Sequence, residues 1–428
     1  MKRLFVYMVA VCAMAISCKK ANVTEIRPMS LDYPDSTKVL AIEDEYPYMK
    51  LVTDKVVHLQ AKGKDMAQPC GIIQNGESLT MKYRYLPLET TDECLIGQID
   101  QIDSDGSSIF LFDEKNHSAY RFSLEDGSFI CKYGTRGRGP GEYNSLNCMA
   151  IDKKKKEVCL LDFDLFKLMY FNYDGEFLRE EPQYYAYNRF FYCGDDLILH
   201  TDRNENPMAP AISNNSLVLA QPDQTPLFKG FPHNYSDKFN YTIHYSLIKC
   251  KDDVFYTHVM SDTIWQIKPN GVCEAKYVFK FQGRDNLFDE NDFQQITNEE
   301  YEQRNKGIAY YAGDIAITDN FIRAGIFNGQ PMLYCISTGQ CYYGYPNNRY
   351  FDGPTSFEGK FTLDGTYFVD VLQPFQLLQN HELAKDMYNE ISYDAYWNER
   401  LTEEERQLLQ KMTPEDTPIL VIIDIEPF

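Results

Sequence analysis

The chain is 428 residues long, 44% hydrophobic and 25% charged, so size does not limit the core, and its 32 Tyr and 27 Phe suit half-buried pleated strands. An all-β body is the first expectation. With 42 Lys+Arg against 63 Asp+Glu the net charge is -21, which argues against a nucleic-acid binder and against docking on anionic lipid.

The N-terminus carries Lys2 and Arg3, then an apolar stretch from Leu4 to Ile16. That order reads as an export signal over residues 1–17, too short to span a bilayer. Ala15-Ile16-Ser17-Cys18 resembles a bacterial lipobox with Ala in place of the usual Leu. The resemblance implies cleavage before Cys18 and lipid attachment to it. Residues 18–60 are expected to be anchor, tether and lead-in. The absence of acidic residues directly after Cys18 favours the periplasmic side of an outer membrane, without excluding the cell surface. Besides Cys12 and Cys18 the body holds ten Cys, none in a CxxC pair or at zinc spacing.

From residue 61 a repeat dominates. Apolar runs end at comparable points in Ser108–Glu114, Glu157–Phe163, Asp196–Asp202, Asp253–Val259 and Phe321–Phe327. A second apolar run follows in four of the units (119–124, 168–173, 263–268 and 332–337), then a turn: Asp126-Gly127, Asp174-Gly175, Asn270-Gly271 and Thr338-Gly339. Such dipeptides supply the positive φ of hairpin turns. From the end of the first run to the turn the count is 13 for Asp113 to Asp126, and 12 for Asp162 to Asp174, His258 to Asn270 and Ile326 to Thr338. Strand, strand, turn, strand at this spacing is the pattern of a β-propeller blade. Five units begin near residues 98, 147, 188, 246 and 313, the third interrupted by 204–215. A sixth is assembled from Gly359–Leu372, the terminal strand Pro418–Ile425 and an early strand around Lys82–Glu89, closing the ring with both chain ends and removing exposed edges. The predicted fold is therefore all-β, a six-bladed β-propeller over residues 61–428. Short helical insertions are predicted at about 285–306 and 377–412, the latter with a capping box of Thr402 and Glu405.

Residues 86–181 resemble the six-bladed, NHL-repeat-like β-propeller lipoproteins of Gram-negative gut-type bacteria, through the Gly134–Tyr143 loop and its GRGPGEY core. Asp352-Gly353-Pro354 with Ser356, and the strand from Ile419, resemble further parts of that family. The resemblance implies a propeller in the cell envelope and adds little chemistry.

The Gly134–Tyr143 loop lacks the GK[ST] ending of a phosphate-binding P-loop. Its preferred reading is structural, with Arg136, Arg138 and Glu142 tying an interblade crossing. The functional reading makes the two arginines a carboxylate or phosphate receptor. Asp113, Asp162 and His258 end equivalent strands and are the candidate ligands for a calcium or zinc ion, which would make the protein a metal-dependent lactonase or lyase. No HExxH or GxSxG is present. Tyr184, Tyr185 and Tyr187 are candidate contacts for sugar rings or peptides. Binding is the favoured role. The expected partner is a glycan, a peptide or an envelope protein, with the membrane met only through the lipid.

Overall fold

The computed structural model describes residues 46–54, 56–61, 73–74, 77–78, 80–201, 204, 206, 209–233, 246–257, 261, 263–281, 297, 299–300, 303, 310–327, 332–343, 359–387 and 401–426. Cys18, His258 and the 352–356 loop lie outside them. So does most of the insertion expected at 285–306, of which residues 299–300 and 303 are helical.

Six small antiparallel sheets form a six-bladed β-propeller, each built in the order inner strand to outer strand. Blade 1 runs from Gln101–Ser104 through Ser108–Asp113 and Ser118–Ser123 to Phe129–Lys132. Blade 2 begins at Leu146–Asp152, blade 3 at Arg189–Cys193, blade 4 at Leu247–Cys250 and blade 5 at Tyr310–Ile317. Blade 6 takes Phe361–Leu363, Tyr367–Leu372 and Ile419–Glu426 from the C-terminal end, then Thr80–Pro87 from the N-terminal end as its outer strand. Both chain ends therefore close the ring, as the sequence implies.

The second strand of each blade is largely apolar and buried because a blade is covered on both faces. In Ser108–Asp113, Ile109 and Leu111 pack with Val369 and Leu420 of blade 6. The alternate residues Phe110 and Phe112 pack with Met149 and Leu160 of blade 2. The same division recurs in blade 4, where Val254 joins Ile198 of blade 3 and Phe255 joins Ile322 of blade 5. The core is thus a series of interblade layers, each buried side chain contributing about 1.5–3 kcal/mol. Gly127, Gly175, Gly271 and Gly339 hold φ between 72° and 86° in the four predicted turns.

The lead-in assigned to residues 18–60 has structure at its end. Lys229 N–H donates to the Pro47 carbonyl and Met49 N–H donates to the Lys229 carbonyl, along the outer strand of blade 3. Lys50–Val52 and Val57–Ala61 then pair in parallel with Val272–Phe281, the outer strand of blade 4. Leu59 is fully buried there. The segment is a strap across two blades.

Helix α1 (Pro374–Met387) and helix α2 (Glu403–Lys411) fall in the predicted insertion between the strands of blade 6. Thr402 and Glu405 form the expected capping box. Glu405 also accepts a 2.5 Å hydrogen bond from the Tyr85 hydroxyl, which fixes α2 to the closing strand. No helix among the described residues is long and apolar enough to cross a membrane.

Candidate functional site

Two concave features arise from this architecture. The first is the axial cavity, about 90 Å3, where the inner strands converge. Successive side chains of a wall strand turn to the two neighbouring blades, as Gln101 does to blade 2 and Ile102 to blade 6. The cavity lining includes polar groups: Asp103 from blade 1, Arg189 from blade 3, Lys249 from blade 4, and Lys360 and Asp364 flanking the inner strand of blade 6. Lys249 Nζ lies 2.6 Å from Asp103 Oδ2, with both side chains largely buried. Lys153 stands 3.8 Å from both Asp103 and Asp364. The Gln101 amide bridges the inner strands of blades 1 and 2, donating to the Met149 carbonyl at 2.5 Å and accepting its N–H at 3.3 Å.

The second is a groove of about 590 Å3 where blade 6 meets blade 1. Tyr83, Leu124, Tyr367 and Ile422 supply its apolar surface, and Arg84, Glu125 and Asp424 its charged rim. Arg84 Nη1 donates to the Leu124 carbonyl at 3.1 Å, fixing the groove across the closure. Tyr367 is 37% exposed, whereas Ile422 is buried. Desolvation, followed by the charges of Asp370 and Glu405, pushes the Tyr83 hydroxyl above its ordinary range, so it stays protonated.

The predicted site residues are arranged differently. Asp113 accepts N–H bonds from Gly97 at 2.7 Å, Gln98 at 3.3 Å and Asn116 at 2.9 Å. Asp162 accepts them from Asn144 at 2.6 Å, Ser145 at 3.4 Å and Leu165 at 3.0 Å. Each carboxylate is buried and clasps the loop that leads into its own blade's inner strand. Among the described residues no cluster of three His, Cys, Asp or Glu is arranged to hold a metal.

In the 134–143 loop, Glu142 turns back to accept the Gly139 N–H at 2.8 Å. A Cβ on Gly137 would meet Glu142 Oε2 at 2.0 Å, so the carboxylate occupies the space that a side chain would need. Gly137 N–H donates to the Tyr143 carbonyl and closes the loop on itself. Arg136 and Arg138 are exposed. Tyr185 and Tyr187 are buried, their hydroxyls bonding the Gln224 carbonyl at 2.7 Å and the Gln224 side chain at 3.1 Å. Tyr184 is half-buried and its N–H donates to Gln224 Oε1. Burial pushes the hydroxyls of Tyr185 and Tyr187 up, as for packed core tyrosines.

Neither the axial wall nor the closure groove is among the predicted sites. The inner strand of blade 1, Gln101–Ser104, is short and of mixed polarity and carries no apolar run to detect. The signal that was available is the cation following or opening each of several units: Lys153, Arg189, Lys249 and Lys360.

A family model described as "Domain of unknown function (DUF4934)" matches residues 73–424. A search of curated proteins returns no match. Among solved structures, the chain is similar to a putative exported protein from Bacteroides fragilis, at 19% identity and a TM-score of 0.67, over 86% of this chain and 100% of that one. It is also similar to a DUF4221 family member from Bacteroides vulgatus, at 9% identity and a TM-score of 0.46, over 83% and 100% of the two chains. Virginiamycin B lyase from Staphylococcus aureus matches at 13% identity and a TM-score of 0.35, over 63% and 75%.

Proposed function

The chain belongs to the DUF4934 family, and from that membership and the geometry above we propose that it is a recognition propeller of the cell envelope, binding a glycan or a peptide rather than transforming one. The observation that carries this reading is the closure groove. Its volume of about 590 Å3 falls within the roughly 300–1,000 Å3 of small-ligand sites, and its apolar floor with a few polar rim groups is the usual composition of such sites. Tyrosine faces stack on sugar rings, and the rim carboxylates and Arg84 offer hydrogen bonds to hydroxyl groups. A protein partner would use the same surface. The metal-dependent lactonase or lyase reading has less support, because the oxygens of Asp113 and Asp162 already accept backbone N–H groups.

The export-signal pattern and Cys18 support a reading in which the mature chain sits on a lipid anchor, on the periplasmic side of the outer membrane, in the manner of the NHL-like lipoproteins it resembles. The description of the Bacteroides fragilis structure as a putative exported protein accords with that location.

A thermal-shift screen of the protein against neutral oligosaccharides and peptides tests the reading. Ligand at about 100 times its dissociation constant stabilises the folded state by roughly 2.7 kcal/mol. The expected result is a stabilising ligand whose effect is lost in Tyr367→Ala, a variant that keeps the unliganded melting temperature. A stabilising ligand indifferent to Tyr367 and Arg84 would remove the groove from the proposal.

A further inference from the structure

Resting on the reading of the closure groove as a binding site, we propose that its occupant is a glycan and that Gly106 is the residue deciding what the groove admits.

The first argument is which groups the groove still offers. An extended peptide that joins a fold by strand addition is held through its main chain, by free backbone N–H and C=O groups. At the turns that wall the groove such groups are engaged. The Gly106 N–H donates to Ser104 Oγ at 2.9 Å, and the N–H groups of Ser107 and Ser108 donate to Asp105 Oδ1 at 2.9 and 2.7 Å. The Leu124 N–H donates to the Ser107 carbonyl at 3.0 Å, the Leu124 carbonyl accepts from Arg84, and the Glu125 N–H donates to Ser123 Oγ at 3.2 Å. The polar groups left over belong to side chains. Arg84 spends one N–H on Leu124, and among the described residues the carboxylates of Glu125 and Asp424 accept no hydrogen bond. Guanidinium and carboxylate groups suit hydroxyls, which donate and accept at once. Beside them Tyr367, 37% exposed, offers an aromatic surface for a sugar ring to stack on.

The second argument is a missing side chain. Gly106 sits in the turn between the inner and second strands of blade 1 and lines the groove. Its φ is 87°, but positive φ alone does not call for glycine in this turn. The matching turns of blades 2, 4 and 6 hold Lys156, Lys251 and Asp364 at φ of 54°, 54° and 49°. Packing does not call for glycine either. A Cβ on Gly106 would meet nothing within 4 Å, whereas one on Gly127, in the next turn of the same blade, would stand 2.1 Å from the Pro87 carbonyl oxygen. A side chain at 106 would therefore enter open space beside the groove, and its absence lets a ligand come against the turn backbone.

The test is calorimetric titration of the full chain with maltohexaose, cellohexaose, mannohexaose and, as the peptide, hexaalanine. Saturable binding of at least one hexasaccharide, lost in Tyr367→Ala, with none of hexaalanine, is expected. Gly106→Asn is expected to weaken that binding on the order of tenfold and Gly106→Ala by less, in step with side-chain size. Stability is expected to rank the other way, since Asn tolerates positive φ better than Ala, so melting curves of the two variants separate obstruction of the groove from backbone strain. Binding of hexaalanine alone, dependent on Tyr367, would overturn the glycan and leave the groove standing. A Tyr367-dependent saccharide that is indifferent to Gly106→Asn, or weakened more by Gly106→Ala, would overturn the role of Gly106. No Tyr367-dependent binding of any of the four would remove the groove and the proposal together.

Discussion

Asp113 and Asp162 hold the same place in successive blades and the same task, joining the end of one strand to the loop that opens the blade. Truncating Asp162 to Ala leaves three part-buried or exposed N–H groups without their acceptor, and at about 0.5–1.5 kcal/mol for each lost hydrogen bond the melting temperature is expected to fall by several degrees. Calcium, zinc or chelator added to the unmodified protein is expected to leave the melting temperature unchanged, because these oxygens are engaged; a cation-dependent shift would reinstate them as ligands. Gly127 shows the opposite economy, a position defined by what is missing. Its φ is 75° and an added Cβ would stand 2.1 Å from the Pro87 carbonyl oxygen of the closing strand. Gly127→Ala is therefore expected to destabilise the ring by more than the roughly 1 kcal/mol that positive φ alone costs. The Arg136→Ala, Arg138→Ala double variant is expected to keep its melting temperature, since both side chains are exposed. Spacing alone brought out the turn glycines and the repeated aspartates. It left open which way Tyr185 and Tyr187 point, because their partner, Gln224, lies some 40 residues on in an irregular turn.

Strands that pair with their sequence neighbours through a short turn were legible, and of those that pair at a distance the blade 6 closure was legible while the strap was not. The strap illustrates the second case: Val57–Ala61 meets Val272–Phe281 in parallel, with no connecting turn to announce the pairing. Leu59 supplies its anchor, fully buried among Phe255, Ile264 and Phe279. Leu59→Ala is expected to cost about 2–5 kcal/mol, as for other buried Leu truncations, and to increase proteolysis of the strap before the propeller itself is cut. Helix α2 was legible because its start is written locally in Thr402 and Glu405. The cysteines belong to this scale as well. Nine are described, all as free thiols inside or beside strands. Burial pushes Cys94 and Cys273 up to about 12, so slow alkylation of both at pH 8 in the folded protein is expected, and rapid labelling only after denaturation.

At the scale of the molecule, the ring is held by interblade layers and by one blade assembled from both chain ends. The strand Ile419–Glu426 sits between Tyr367–Leu372 and Thr80–Pro87, and the Lys82–Glu426 pair bridges a sequence separation of 344 residues. Removing residues 418–428 is expected to prevent a cooperative thermal transition, because two blade 6 strands lose their common partner; a sharp transition in the truncated chain would show that five blades suffice. The same closure sets a clock. Contacts at such separation form late, after the loop entropy of nearly the whole chain has been overcome. Thr80–Pro87, the first blade-forming strand, therefore waits for a partner more than 300 residues further along the chain. Until Ile419–Glu426 is seated the circle stays open, so this one strand acts as the latch of the ring, thrown last and lifted first.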